Sequence, residues 1–142
     1  MDAPFTLIPP APGRTSPLLF LCDHASNALP ADYDGLGLAA PLFETHIAYD
    51  IGAAFVTQAL AGAYGAAALL GGVSRLLIDL NRGADDPTIV MKLSDGSIIP
   101  GNREADVTQR IADFHAPYHA AIEAEIARQR AIGKVPALIS MH

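Results

Sequence analysis

The chain has a single cysteine, Cys22. No intrachain disulfide can form, which fits a reducing cytoplasm. Basic residues are scarce. Nine Lys and Arg stand against 15 Asp and Glu, for a net charge of −6 and a pI near 5.1. That balance argues against nucleic acid or an anionic membrane as the main partner. An anionic small molecule would have to be attracted locally, by a few placed arginines. No uninterrupted apolar run is long enough to span a bilayer. The N-terminus has no basic region followed by a long apolar run, so a secretory signal is not expected. A phosphate loop is also missing, since Gly71-Gly72 lacks the lysine and the spacing. Ser26 and Ser140 lie outside any G-x-S-x-G elbow.

What is present is a globular composition, with 51% apolar and 17% charged residues over 142 positions. That is enough for one domain with a real core. Residues 1–17 carry five prolines and read as an extended leader. The informative stretch follows it. Leu18–Cys22 is a short apolar run, read as a strand buried on both faces of a parallel sheet. It ends in Asp23, His24, Ser26 and Asn27. In open α/β sheets, ligands bind beyond the carboxyl ends of the strands, so this polar cluster falls where such a fold does its chemistry.

Apolar residues at helical spacing predict a helix from about 38 to 64, stopped by Gly65. His46 and Asp50 would then project from one face of it. A short strand is expected at 66–70 and a better one at Val73–Leu80, ended by Asn81-Arg82-Gly83. Ser94-Asp95-Gly96 signals a hairpin. A long helix is expected from about 105 to 132, kinked or split by Pro117. A last strand, Val135–Met141, puts His142 at its carboxyl end. The order predicts an α/β fold with a mostly parallel sheet flanked by helices. Because the chain stops directly after a strand, residues 18–142 are expected to be the N-terminal part of a longer domain.

Three strand ends therefore carry polar clusters: Asp23, His24 and Asn27; Asn81 and Arg82; and His142. Two histidines at neighbouring strand ends can share a zinc ion, and zinc with one open position lowers the pKa of its water to roughly 7. The alternative is a set of hydrogen-bonded loop histidines. The His46/Asp50 pair can bind metal or orient an imidazole, but its spacing alone favours a simple helix-face pair. An arginine at a sheet's carboxyl edge can hold a carboxylate through two parallel hydrogen bonds. Arg75 needs an acidic partner if buried, and Asp79 stands four residues on. His115 and His119, either side of Pro117, read as surface or kink residues. Cys22 reads as core.

Together these residues resemble the N-formylglutamate amidohydrolase family. The resemblance is carried by FLCDHASNALP (Phe20–Pro30), HIAYDIGA (His46–Ala53), SRLLIDLNR (Ser74–Arg82), DGSIIPGN (Asp95–Asn102), Pro117-Tyr118-His119 and LISMH (Leu138–His142). It implies a zinc-exopeptidase-like (phosphorylase/hydrolase-like) architecture and a cytoplasmic hydrolase of histidine degradation. The implied substrate is an N-acyl acidic amino acid, such as N-formylglutamate split to formate and glutamate. By resemblance His24 and His142 are zinc ligands, and Asn81-Arg82 is the carboxylate clamp, with Arg75 and Asn27 beside it. The wider group of zinc carboxypeptidases has a glutamate three residues after the first histidine. Asn27 stands there instead, so the third ligand is assigned to His46, with Asp50 next, and Asp50 is also the carboxylate expected to serve catalysis. The wider group also places its general base beyond the last histidine, so the 142 residues alone are expected to be nearly inactive. The competing reading is a degenerate module that holds a small acidic ligand through Asn81 and Arg82 without chemistry.

Overall fold

The structure, a computed structural model, describes residues 3–142. Its centre is a four-stranded sheet in the order β1-β3-β2-β6, formed by β1 (Phe5–Ile8), β2 (Leu18–Cys22), β3 (Ala67–Gly71) and β6 (Ala137–Ser140). β3, β2 and β6 are parallel, and β1 joins antiparallel at the edge. The mostly parallel α/β sheet expected from sequence is thus present. The proline-rich leader, whose first two residues lie outside the described ones, contributes β1 to it.

Both faces of the sheet are covered, as the period-2 alternation of side chains requires. Phe20, Cys22, Ala68 and Leu70 face helix α1 (Ala53–Tyr64), which presents Ala53 and Ala61. Leu19, Leu21, Ala67 and Leu69 face the other way. They meet Leu76, Leu77 and Ile78, and Phe114, Tyr118 and Ile122 from the second helical region. The small residues on the α1 side let that helix lie close, and the bulk of the core sits on the opposite face. Gly71 ends β3 because a Cβ there would collide with the main-chain carbonyl of Asp23.

Two sequence expectations are corrected. The helix foreseen from residue 38 begins only at Ala53. Residues 40–44 form a short 3-10 turn, and 45–52 are turns ending at Gly52 with φ 86°. The main chain here is pulled to the sheet edge. The Asp50 amide donates to the His24 carbonyl at 3.0 Å, and the Ala48 carbonyl accepts from the Arg75 amide and the Ser74 hydroxyl. His46 and Asp50 consequently share no helix face.

The second correction concerns Val73–Leu80, which is buried but is not a strand. Its backbone groups pair with loops and side chains rather than with a neighbouring strand. Asn102 Nδ2 donates to the Leu76 carbonyl, and Arg110 Nη1 donates to the Leu77 carbonyl. The Asp79 amide reaches the Ile89 carbonyl. An apolar run signals burial, and burial alone does not specify a ladder.

The hairpin forms as expected, from β4 (Leu93–Ser94) and β5 (Ser97–Ile98). Asp95 and Gly96 both have positive φ, as a primed two-residue turn requires. The long C-terminal helix is split, as Pro117 predicts. Helix α2 (Val107–Arg110) starts at Asp106, whose carboxylate caps the Gln109 amide. It passes through one π turn (Ile111–His115) into α3 (Ala116–Ala131). The wider turn precedes the proline that cannot donate a main-chain hydrogen bond. No helix among the described residues is long and apolar enough to cross a membrane.

Candidate functional site

The carboxyl end of β2 delivers Asp23 and His24, and residues just beyond β6 deliver His142, so parallel neighbours β2 and β6 bring them together. The turn before α1 adds Asp50. His24 is 3% exposed. Its Nδ1 lies 3.2 Å from Asp50 Oδ2, and its Nε2–H donates to Asp79 Oδ1 at 2.7 Å. His142 Nδ1 lies 3.0 Å from the same Asp50 oxygen. One ligand atom from each of His24, Asp50 and His142 falls within 4.8 Å of the others, a group able to hold a metal ion. The structure does not bring His46 to this group. His46 is 74% exposed and stands 3.3 Å from Asp95 at the hairpin turn.

Asp79 is the hub of the site, a role that sequence reading reduced to partnering Arg75. Its buried carboxylate accepts from His24, from Arg75 Nη2 at 3.1 Å, from Arg82 Nε at 3.4 Å and from the Asn81 amide at 3.0 Å. Burial alone would raise its pKa. The hydrogen bond and charge of His24, with Arg75, outweigh that and hold it at about 2. Burial likewise pulls the His24 pKa down, and Asp79 overcomes it, so the imidazole is more basic than usual. Arg75 also reaches Asp50 at 3.6 Å. Asp23 is buried as well, and Tyr118 donates its hydroxyl to it at 2.7 Å. Burial and that carboxylate push the Tyr118 phenol far up, so it stays a donor.

Beside this cluster lies a groove of about 570 Å³. Its polar lining includes Asp23, Asn81, Arg82, His115 and His119, set among Leu21, Leu80, Ile122 and Leu138. Arg82 uses Nη1 on Thr88 at 2.6 Å and on Asp86 at 3.4 Å, besides its contact with Asp79. Asn27 does not join the groove's lining. Its amide nitrogen donates to the Phe43 carbonyl at 2.9 Å and to Glu44 at 3.3 Å, bracing the 40–44 turn.

His115 is buried rather than a surface residue, and His119 is half-buried. Both were missed by the spacing argument, although Tyr118-His119 belongs to a motif that carried the family resemblance. The same holds for Asn102. It accepts from the buried Arg110 at 2.7 Å, and the pair fixes the carbonyls of the irregular segment that leads to Asp79.

The sequence model of the N-formylglutamate amidohydrolase family matches residues 16–142. A gene product of Agrobacterium tumefaciens of solved structure superposes with a TM-score of 0.86 at 28% identity, over 97% of this chain and 55% of its own. An N-formylglutamate amidohydrolase from Ralstonia eutropha JMP134 superposes with a TM-score of 0.59 at 27% identity, over 89% of this chain and 53% of its own. The chain thus spans about half the length of these solved structures. No curated protein sequence matches it.

Proposed function

Because the chain belongs to the N-formylglutamate amidohydrolase family, we propose that it acts as a zinc-dependent amidohydrolase. Its substrate is an N-acyl acidic amino acid, and the type reaction converts N-formylglutamate to formate and glutamate. The observation that most supports this is the meeting of His24, Asp50 and His142 beside the cations Arg75 and Arg82. The domain implied is the hydrolytic one of residues 18–142, with zinc-exopeptidase-like architecture and a place in the cytoplasm.

The donor set suits zinc. Two imidazole nitrogens and one carboxylate oxygen are the protein ligands of a catalytic site that keeps one position open. Asp79 on the far nitrogen of His24 is the outer carboxylate that orients such a ligand. When bound, zinc supplies Lewis acidity, easing deprotonation of a water near neutral pH and polarising the acyl carbonyl. His24 and His142 hold it through nitrogen, and Asp50 takes the third position in place of His46. Asp79 keeps the Nε2 proton on His24, so that Nδ1 is the free ligand atom. Arg75, between Asp50 and Asp79, balances their charge. Asn81 and Arg82 face the groove and bind the substrate carboxylate. Such a charged hydrogen bond is worth roughly 1.5–3 kcal/mol.

Two measurements test this. Elemental analysis is expected to find near-stoichiometric zinc in the wild type and none in His24→Ala. Formate release from N-formylglutamate is expected to require that zinc. A folded wild type that can neither carry nor be reloaded with zinc would remove the hydrolase reading. Retained calorimetric binding of N-acylglutamate would then favour the non-catalytic acidic-ligand module.

A further inference from the structure

We propose that His115 and His119 are positioning residues that hold the peptide units on either side of the Asn81-Arg82 pair, and so set the affinity of the groove for a carboxylate ligand. The inference rests on the reading of Asn81 and Arg82 as the clamp, and it adds the part of the chain that shapes that clamp.

His119 Nε2 lies 2.9 Å from the Leu80 carbonyl, and His115 Nε2 lies 2.8 Å from the Arg82 carbonyl. A carbonyl oxygen can only accept, so each imidazole carries its proton on Nε2. The two rings pack against each other with centroids 4.2 Å apart and planes tilted by 34°. Together they grip the main chain at two points that bracket the Asn81-Arg82 pair. The Leu80–Asn81 peptide unit is gripped at both ends. Its carbonyl accepts from His119, and its N–H donates to Asp79 Oδ1 at 3.0 Å. That oxygen also takes the His24 proton at 2.7 Å. A continuous chain of hydrogen bonds thus joins α3, the Asn81-Arg82 loop and the buried His24.

Residues 81–86 are mostly exposed and belong to no regular element. Within the loop, Arg82 is tied by its side chain to Asp79, Asp86 and Thr88, and the two histidines add the hold on the main chain from α3. His115 closes the π turn (Ile111–His115), and His119 follows four residues on in α3, a spacing that puts both rings on one face of the helix. Burial lowers the His115 pKa, the Arg82 carbonyl opposes that, and His119 adds to the lowering.

Tautomers are to be read first in the zinc-loaded wild-type chain, by long-range ¹H–¹⁵N NMR of the histidine rings. His115 and His119 are expected as Nε2–H forms, and an Nδ1–H form for either would overturn the proposal without any variant. Calorimetry then follows with L-glutamate as a non-hydrolysable probe. His115→Leu and His119→Leu are expected to weaken glutamate binding roughly tenfold or more, since displacing a positioning group by even 1 Å is costly. Their zinc content should stay at the wild-type level. His119→Gln, whose amide NH₂ can reach the same carbonyl, should recover most of the affinity. Unchanged glutamate binding in both leucine variants removes the positioning role. A wild type with the expected tautomers that binds zinc but no glutamate refutes the clamp itself, and with it the affinity claim made here.

Discussion

Two pairs of histidines lie at the same edge of the molecule and are bonded in opposite ways. His24 and His142 share Asp50, and His24 also donates a hydrogen bond to Asp79. His115 and His119 meet only main-chain carbonyls through their Nε2 atoms. Carboxylates around an imidazole favour its cation or a metal in that cation's place, and they raise the His24 pKa against its burial. Carbonyls fix one neutral tautomer, and burial lowers the His115 pKa. The residue type is the same, yet one pair is built to hold charge and the other to hold backbone.

The hardest way to break this contrast is to remove the carboxylate that belongs to both halves. Asp79→Ala removes the shortest contact of the buried His24, takes one carboxylate from Arg75 and from Arg82, and unpins the Asn81 amide. Losing one side of a buried ionic network costs roughly 3–5 kcal/mol. Urea unfolding of the metal-free chain should show a loss of that size. A change under about 1 kcal/mol would mean the network relaxes into water and Asp79 is no hub.

A milder test uses pH, because His24 and His115 should respond with opposite sign. Asp79 has a folded pKa depressed to about 2 from 3.8. Its contribution is present above 3.8 and is lost as pH falls through 2. His24 has a folded pKa raised above 6.5, so its contribution is full below 6.5 and is lost as pH rises through the folded value. His115 runs the other way. Its folded pKa lies below 6.5, so the unfolded chain binds the proton first and stability drops as pH falls below 6.5. In metal-free protein, His24→Gln should flatten the alkaline limb of a plot of urea midpoint against pH. His115→Gln should flatten the limb just below 6.5. Unchanged limbs in both variants would show that neither ring titrates as its surroundings dictate.

The same contrast explains what could be read from the sequence. The strand Leu18–Cys22 with His24 at its end, the strand that ends near His142, the hairpin and the proline-split helix are all local. Each rests on a run, a turn dipeptide or a proline, and short-range rules suffice for them. The run Val73–Leu80 misled because its burial is satisfied by Asn102 and Arg110, side chains 26 and 33 residues away from the carbonyls they meet. No periodicity encodes such a partner. The brace at Leu80 and Arg82 is equally non-local, with sequence separations of 39 and 33. Only the family-like motifs around Asn102 and His119 marked these positions, and they did so without giving a reason.

The smallest expected effect separates the sequence-based ligand set from the one the structure favours. The neutral Asn27 where a ligand glutamate was expected made His46 a candidate third ligand, with His46 and Asp50 read as sharing a helix face. That helix does not form until Ala53. His46 instead stands in solvent beside Asp95, both side chains largely exposed, and exposed pairs of this kind contribute little. His46→Ala should therefore keep the wild-type zinc content and shift stability by no more than about 0.5 kcal/mol. Asp50→Ala should lose the metal, because it removes the one oxygen that both His24 and His142 approach. If His46→Ala lost zinc and Asp50→Ala kept it, the turn at 45–52 would have to swing His46 inward on metal binding. The main-chain ties of Asp50 to His24 and of Ala48 to Arg75 oppose such a movement.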